Sequence, residues 1–99
     1  MSAMQTQQFI AVEACCEYYH IDLEFVDSLH EYGLIELNTI ENKKVISDED
    51  LQELEKFIHL HYDLNINLEG IDAIRHLLGR IKDLQGQILS LKNKIHRFE

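Results

Sequence analysis

Four isoleucines spaced seven residues apart, Ile74, Ile81, Ile88 and Ile95, constrain this chain more than any other feature, because Leu77, Leu84, Leu91 and Phe98 follow them at three-residue intervals. Apolar a and d positions sustained over four heptads make a narrow stripe along an α-helix, and coiled-coil packing covers such a stripe. No proline interrupts the run. As one helix it would extend roughly 42 Å at about 1.5 Å per residue, longer than a domain of this size is wide. The eight a and d side chains, at roughly 1.5–3 kcal/mol each for full burial, represent about 12–24 kcal/mol gross per chain. The stripe is therefore expected to pair with a second copy as a homodimer, with Ile74, Leu77, Ile81, Leu84, Ile88, Leu91, Ile95 and Phe98 as the dimerisation residues.

With 99 residues in all, what precedes this helix is a small head with a limited core. Two units are expected: a head over residues 8–67 and a dimerisation helix over 68–98. Residues 1–12 lack a basic segment followed by an apolar one, and no apolar run approaches the length of a membrane span, so a cytoplasmic protein is expected. The net charge of −9 is unevenly placed. Residues 1–42 hold eight acidic side chains and no lysine or arginine, whereas residues 71–98 carry Arg75, Arg80, Lys82, Lys92, Lys94 and Arg97 against Asp72 and Asp83. An acidic head stands on a basic stalk.

Along the head, residues 8–11 suit a short strand and residues 12–18 a helix facing inward with Val12, Cys15, Cys16 and Tyr19. Asp22 is placed to cap a second helix, Leu23–Tyr32, with Leu23, Val26 and Leu29 inward, and Gly33 follows as its C′ residue. Two apolar runs, Leu34–Leu37 and Lys44–Ile46, suggest a β-hairpin with a loose tip. Ser47 and Asp50 have capping-box spacing ahead of a third helix, Asp48–Tyr62. Asn67 caps the last helix, Leu68–Arg97, whose base is expected to meet the head through Ile66, Leu68, Ile71 and Leu78.

Tyr32-Gly33-Leu34-Ile35, then Ser47-Asp48-Glu49-Asp50-Leu51, then Leu68-Glu69-Gly70-Ile71 occur in the order and spacing of the MerR-like helix-turn-helix superfamily, which the chain resembles over about residues 8–98. The resemblance implies a mainly α fold: a winged helix-turn-helix head with a small β-hairpin wing and a long C-terminal dimerisation helix, the stalks of two copies pairing antiparallel. More narrowly, the sequence looks like the CbpM-type chaperone modulators. Asp27 stands where MerR-like regulators usually carry arginine and Ser28 where they carry tyrosine, and no cation precedes Lys43. Non-specific DNA affinity comes mostly from cations at phosphates, so DNA is an unlikely partner on this reading. The narrower resemblance implies a non-enzymatic protein that binds and inhibits the J domain of a DnaJ-like co-chaperone. The acidic surface offered for that contact comprises Glu24, Asp27, Glu31, Asp48, Glu49, Asp50 and Glu53. The alternative is a MerR-like DNA-binding transcriptional regulator.

No cofactor or catalytic residue is expected. There is no glycine-rich phosphate loop and no nucleophile elbow. Glu55 and His59 share a helical face, but two ligands do not close a metal site. Adjacent cysteines rarely bridge, so Cys15 and Cys16 are read as buried or idle thiols.

Overall fold

The computed structural model describes residues 8–97. The chain runs β1 (Phe9–Ala11), α1 (Val12–Tyr19), α2 (Leu23–Glu31), β2 (Asn38–Ile40), β3 (Lys43–Ser47), α3 (Asp48–Ile58), a single π-helical turn (His59–Asp63) and α4 (Leu68–Arg97). It is a mainly helical, winged helix-turn-helix fold with a long C-terminal helix.

The helix-turn-helix is built from two αL residues. His20, at φ 58°, ends α1 and lets the Ile21 N–H reach the Cys16 carbonyl at 3.0 Å. Gly33, at φ 76°, ends α2, where the N–H groups of Gly33 and Leu34 donate to the carbonyls of His30 and Leu29, each at 2.9 Å. That pair of bonds is a Schellman cap, which glycine makes at little conformational cost. Asp22 occupies the N-cap position of α2, yet its side chain accepts no capping bond.

α2 buries Phe25, Val26 and Leu29. Leu23, expected to face inward, is 46% exposed: it lies in the first turn, three residues before Val26, beyond the reach of the core. Ile21, Leu34, Ile35, Ile46, Leu54, Phe57 and Ile71 complete the core with Val12 and Cys15.

The sheet departs from the expected two-stranded hairpin. It has three antiparallel strands in the order β1-β3-β2, with Ile10 opposite Ile46 and Thr39 opposite Lys44. Leu34 and Ile35 are not strand residues; they are buried in the connection that follows the Schellman cap, where Ile35 O meets His30 Nδ1 at 3.2 Å. The hairpin lies later and is tight. Glu41 and Asn42, at φ 51° and 65°, make a two-residue turn between Ile40 and Lys43, and two consecutive positive φ angles match the twist of the flanking strands.

Ser47 caps α3 by accepting from the Asp50 N–H at 3.2 Å. Asp50 does not complete a capping box, its carboxylate instead accepting from the Glu36 N–H at 3.2 Å, which ties α3 to the connection before the wing. α3 ends at Ile58 rather than Tyr62, because the next residues form the π turn. There His61 stacks on Phe25 with ring centroids 4.6 Å apart, and Tyr62 lies edge-on to the same ring. A wider turn is what brings both rings onto α2.

Asn67 caps α4 as expected, its Oδ1 accepting from the Gly70 N–H at 2.8 Å. A Cβ on Gly70 would lie 2.7 Å from Ile66 Cγ2, so only glycine fits this close approach without a shift. Ile71 is fully buried, with Ile66 and Leu68 packed at the core edge. Leu78 is 54% exposed and does not join the head, because α4 has already diverged from α3 by that turn.

Candidate functional site

α1, the three-residue turn and α2 form one wall of a surface feature, and the β2–β3 hairpin forms the other. Glu24, Asp27 and Glu31 lie on α2, where Glu24 and Glu31 are exposed and Asp27 is partly covered. Lys44, from β3, reaches across to Asp27 with Nζ 3.1 Å from Oδ1. Two residues that the sequence separates are thus one ion pair, and the wing is closed against the second helix. A shallow cleft of about 230 Å³ between them is lined by Val12, Glu13, Leu23, Asn42, Lys43 and Lys44.

The remaining acidic residues singled out from the sequence are largely engaged within the molecule. Asp48 Oδ1 accepts from the Glu49 N–H at 2.9 Å, Asp50 holds the Glu36 N–H, and Glu53 pairs with Lys56 at 3.2 Å. They occupy the first turns of α3, where carboxylates complement the helix dipole. Asp48, Asp50 and Glu53 thus have local structural work, and Asp27 is neutralised by the wing.

Three tyrosines brace this arrangement, and sequence reasoning missed all three because nothing in local spacing marks a contact more than thirty residues away. The Tyr19 hydroxyl donates to Glu55 Oε2 at 2.5 Å, joining α1 to α3. That bond, with burial second, pushes the phenol up to about 12. The Tyr32 hydroxyl donates to Glu69 Oε2 at 3.0 Å, tying the end of α2 to the base of α4, and its phenol is raised for the same reason. The Tyr62 hydroxyl accepts from the Asp22 N–H at 3.2 Å, which occupies a backbone donor at the start of α2.

Cys15 and Cys16 are free thiols. Burial pushes both up; Cys16 is raised further by Cys15, Asp27, Asp22 and Glu13 around it. Thiols held protonated are poor nucleophiles. Among the described residues no group of three or more His, Cys, Asp or Glu side chains could hold a metal ion, and no helix is long and apolar enough to cross a membrane.

The seam residues Ile74 to Ile95 all lie on α4, with Leu77, Ile81, Leu84, Ile88, Leu91 and Ile95 each about half exposed. Phe98, the last of the expected set, is outside the described residues.

A helix-turn-helix braced by a hairpin that carries two lysines, with a long helix following, defines a class of regulatory protein. The family model described as a MerR HTH family regulatory protein matches residues 10–93, and the chain belongs to that family. No curated protein and no solved structure matches the chain. The family is one of regulators, so the chain is a non-enzymatic regulatory protein.

This match corrects two expectations. The chaperone-modulator function and the J-domain partner are not supported: what matches is a helix-turn-helix regulator, and nothing ties the chain to the CbpM type. The judgement that DNA is an unlikely partner also fails. It rested on the missing cations of α2, but the fold closes Lys44 onto Asp27 and sets Lys43 beside it, so the surface around α2 is less acidic than the sequence suggested.

Proposed function

We propose that the chain is a DNA-binding transcriptional regulator of the MerR type, with α2 as the recognition helix and the β2–β3 hairpin as its wing. The family match, spanning both the helix-turn-helix and the long helix, is the observation that carries this reading. Lys43 is the wing cation without an ion pair among the described residues and is the one available for phosphate contact, Lys44 being held by Asp27, and α2 reads base edges with its exposed, mostly uncharged or acidic side chains. Residues 8–67 act as the reading head and residues 68–98 as the pairing helix, through Ile74, Leu77, Ile81, Leu84, Ile88, Leu91, Ile95 and Phe98. Pairing doubles the phosphate contacts and makes the second head's binding effectively intramolecular. Such a regulator works in the cytoplasm, on chromosomal DNA.

The charge distribution gives this function an unusual salt dependence. If Lys43 of each of two copies neutralises one phosphate, the slope of log K against log salt is about −1.8, shallow for a specific DNA-binding dimer. The test is fluorescence anisotropy of labelled duplex from the region upstream of the chain's own gene, across a salt series. Saturable binding with that shallow slope is expected, with Lys43→Ala/Lys44→Ala weakening binding and flattening the slope further. Absence of binding to any duplex at low salt would sink the proposal.

A further inference from the structure

Glu24, Asp27 and Glu31 share one side of α2, and the fold treats one of them differently. Glu24 and Glu31 are exposed and make no ion pair among the described residues. Asp27 is held across the wing by Lys44, with Nζ 3.1 Å from Oδ1. Cations are scarce in this part of the molecule: residues 8–67 contain Lys43, Lys44 and Lys56 and no arginine. Lys56 is taken by Glu53 at 3.2 Å and Lys44 by Asp27, which leaves Lys43.

The Lys44–Asp27 pair is not what holds the wing in place. β3 is hydrogen-bonded to β1 on one side and to β2 on the other, and its Val45 and Ile46 are buried in the head. The paired side chains themselves stay 55% and 38% exposed, and an ion pair this open contributes little to stability. Its consequence lies in charge. Lysine that reaches a phosphate displaces condensed counterions, and that displacement supplies most sequence-independent affinity. Lys44 and Asp27 together bring no net charge to a duplex, whereas Lys44 beside a neutral side chain brings a full positive one. We propose, on the reading of the chain as a DNA-binding regulator, that Asp27 is a built-in competitor for DNA phosphate. Its carboxylate occupies the Lys44 ammonium, so each head meets the backbone with one free wing cation instead of two, and the charge at position 27 sets how tightly the head binds.

The test measures anisotropy of one labelled duplex with the full-length parent, Asp27→Asn, Glu24→Gln and Asp27→Asn/Lys44→Ala, between about 50 and 200 mM salt. The parent's affinity should fall roughly 12-fold over that range, as a slope of about −1.8 implies. Asp27→Asn should bind more tightly at the low-salt end and fall roughly 150-fold, because Lys44 of each of two copies adds a phosphate and steepens the slope to about −3.6. Removing the freed lysine as well, in Asp27→Asn/Lys44→Ala, should restore the parent's slope. Glu24→Gln is an equal change of charge on the same helix without a cation partner, and it should leave the slope unaltered. Circular dichroism verifies that the fold is retained, and Asp27→Ser serves as a second neutral replacement with the same expected slope. The role of Asp27 is overturned, with the DNA-binding reading left standing, if the parent binds and both neutral variants keep its slope. It is also overturned if Glu24→Gln steepens the slope as much, or if the double variant stays steep. Absence of binding by every form at low salt sinks the DNA-binding reading and this inference with it.

Discussion

The head and the stalk are both helical and both rich in leucine and isoleucine, yet they dispose of those side chains in opposite ways. In the head, Val26, Leu29, Ile46 and Leu54 are essentially inaccessible to water, and each is covered by residues of the same chain. On α4, Ile71 is the last fully buried residue; from Leu77 to Ile95 the apolar side chains stay about half exposed. The difference lies in periodicity rather than hydrophobicity. Short amphipathic segments separated by αL turns can fold their apolar faces toward one centre, whereas thirty residues of continuous helix hold their seam along a line that the head cannot cover. The head thus buries its apolar side chains within one chain, whereas the stalk seam is left about half exposed by it.

The sharpest way to break this comparison is to truncate one side chain of each kind. Leu54→Ala, at 1% exposure, should cost about 2–5 kcal/mol in denaturant unfolding, a large part of a small domain's stability, and should do so at every protein concentration. Ile88→Asp should act through association: sedimentation should shift from dimer to monomer, and the concentration dependence of the parent's melting temperature should disappear. A parent that sediments as a monomer at all concentrations would remove the distinction.

A smaller effect tests whether the head is held by local signals as well as by its core. Ser47 is buried and supplies the one side-chain N-cap of α3. Ser47→Ala should destabilise the head by about 1 kcal/mol, read as a lower denaturant midpoint with an unchanged slope. A change below a few tenths would mean that Asp48 and Asp50 satisfy the helix start without it.

What could be read from the sequence follows the same division. α4 was legible from its start at Leu68 through its described length, because a heptad repeat and an asparagine cap are local patterns. The Gly33 cap and the start of α3 were legible for the same reason. Leu34 and Ile35 were misread as strand because an apolar pair looks alike in a buried connection and in a sheet; the decision belongs to β3, which pairs instead with β1 and with Asn38–Ile40. The π turn was invisible because the contacts it makes, His61 and Tyr62 on Phe25, join residues far apart in the sequence. The Lys44–Asp27 pair joins residues seventeen apart that only the closed wing brings together.

The smallest expected effect also belongs to the head, since all four tyrosines precede α4. Tyr19 titrates at about 12 in the fold against an ordinary value of about 10, because its neutral hydroxyl donates to Glu55. A folded value above the unfolded one means that the folded state binds the extra proton. The contribution is therefore complete below about 10 and is lost as pH rises through about 12. Tyr32, donating to Glu69, shifts in the same direction. The parent should accordingly be slightly more stable than Tyr19→Phe at neutral pH, and the gap between their denaturant midpoints should close as pH climbs from about 9 toward about 12. Tyrosinate absorbance should show one late-titrating phenol in the parent that the variant lacks. A gap that stays constant across that range would place the effect of Tyr19 in its ring packing against Tyr18, at 4.9 Å between centroids, and not in the bond that joins α1 to α3.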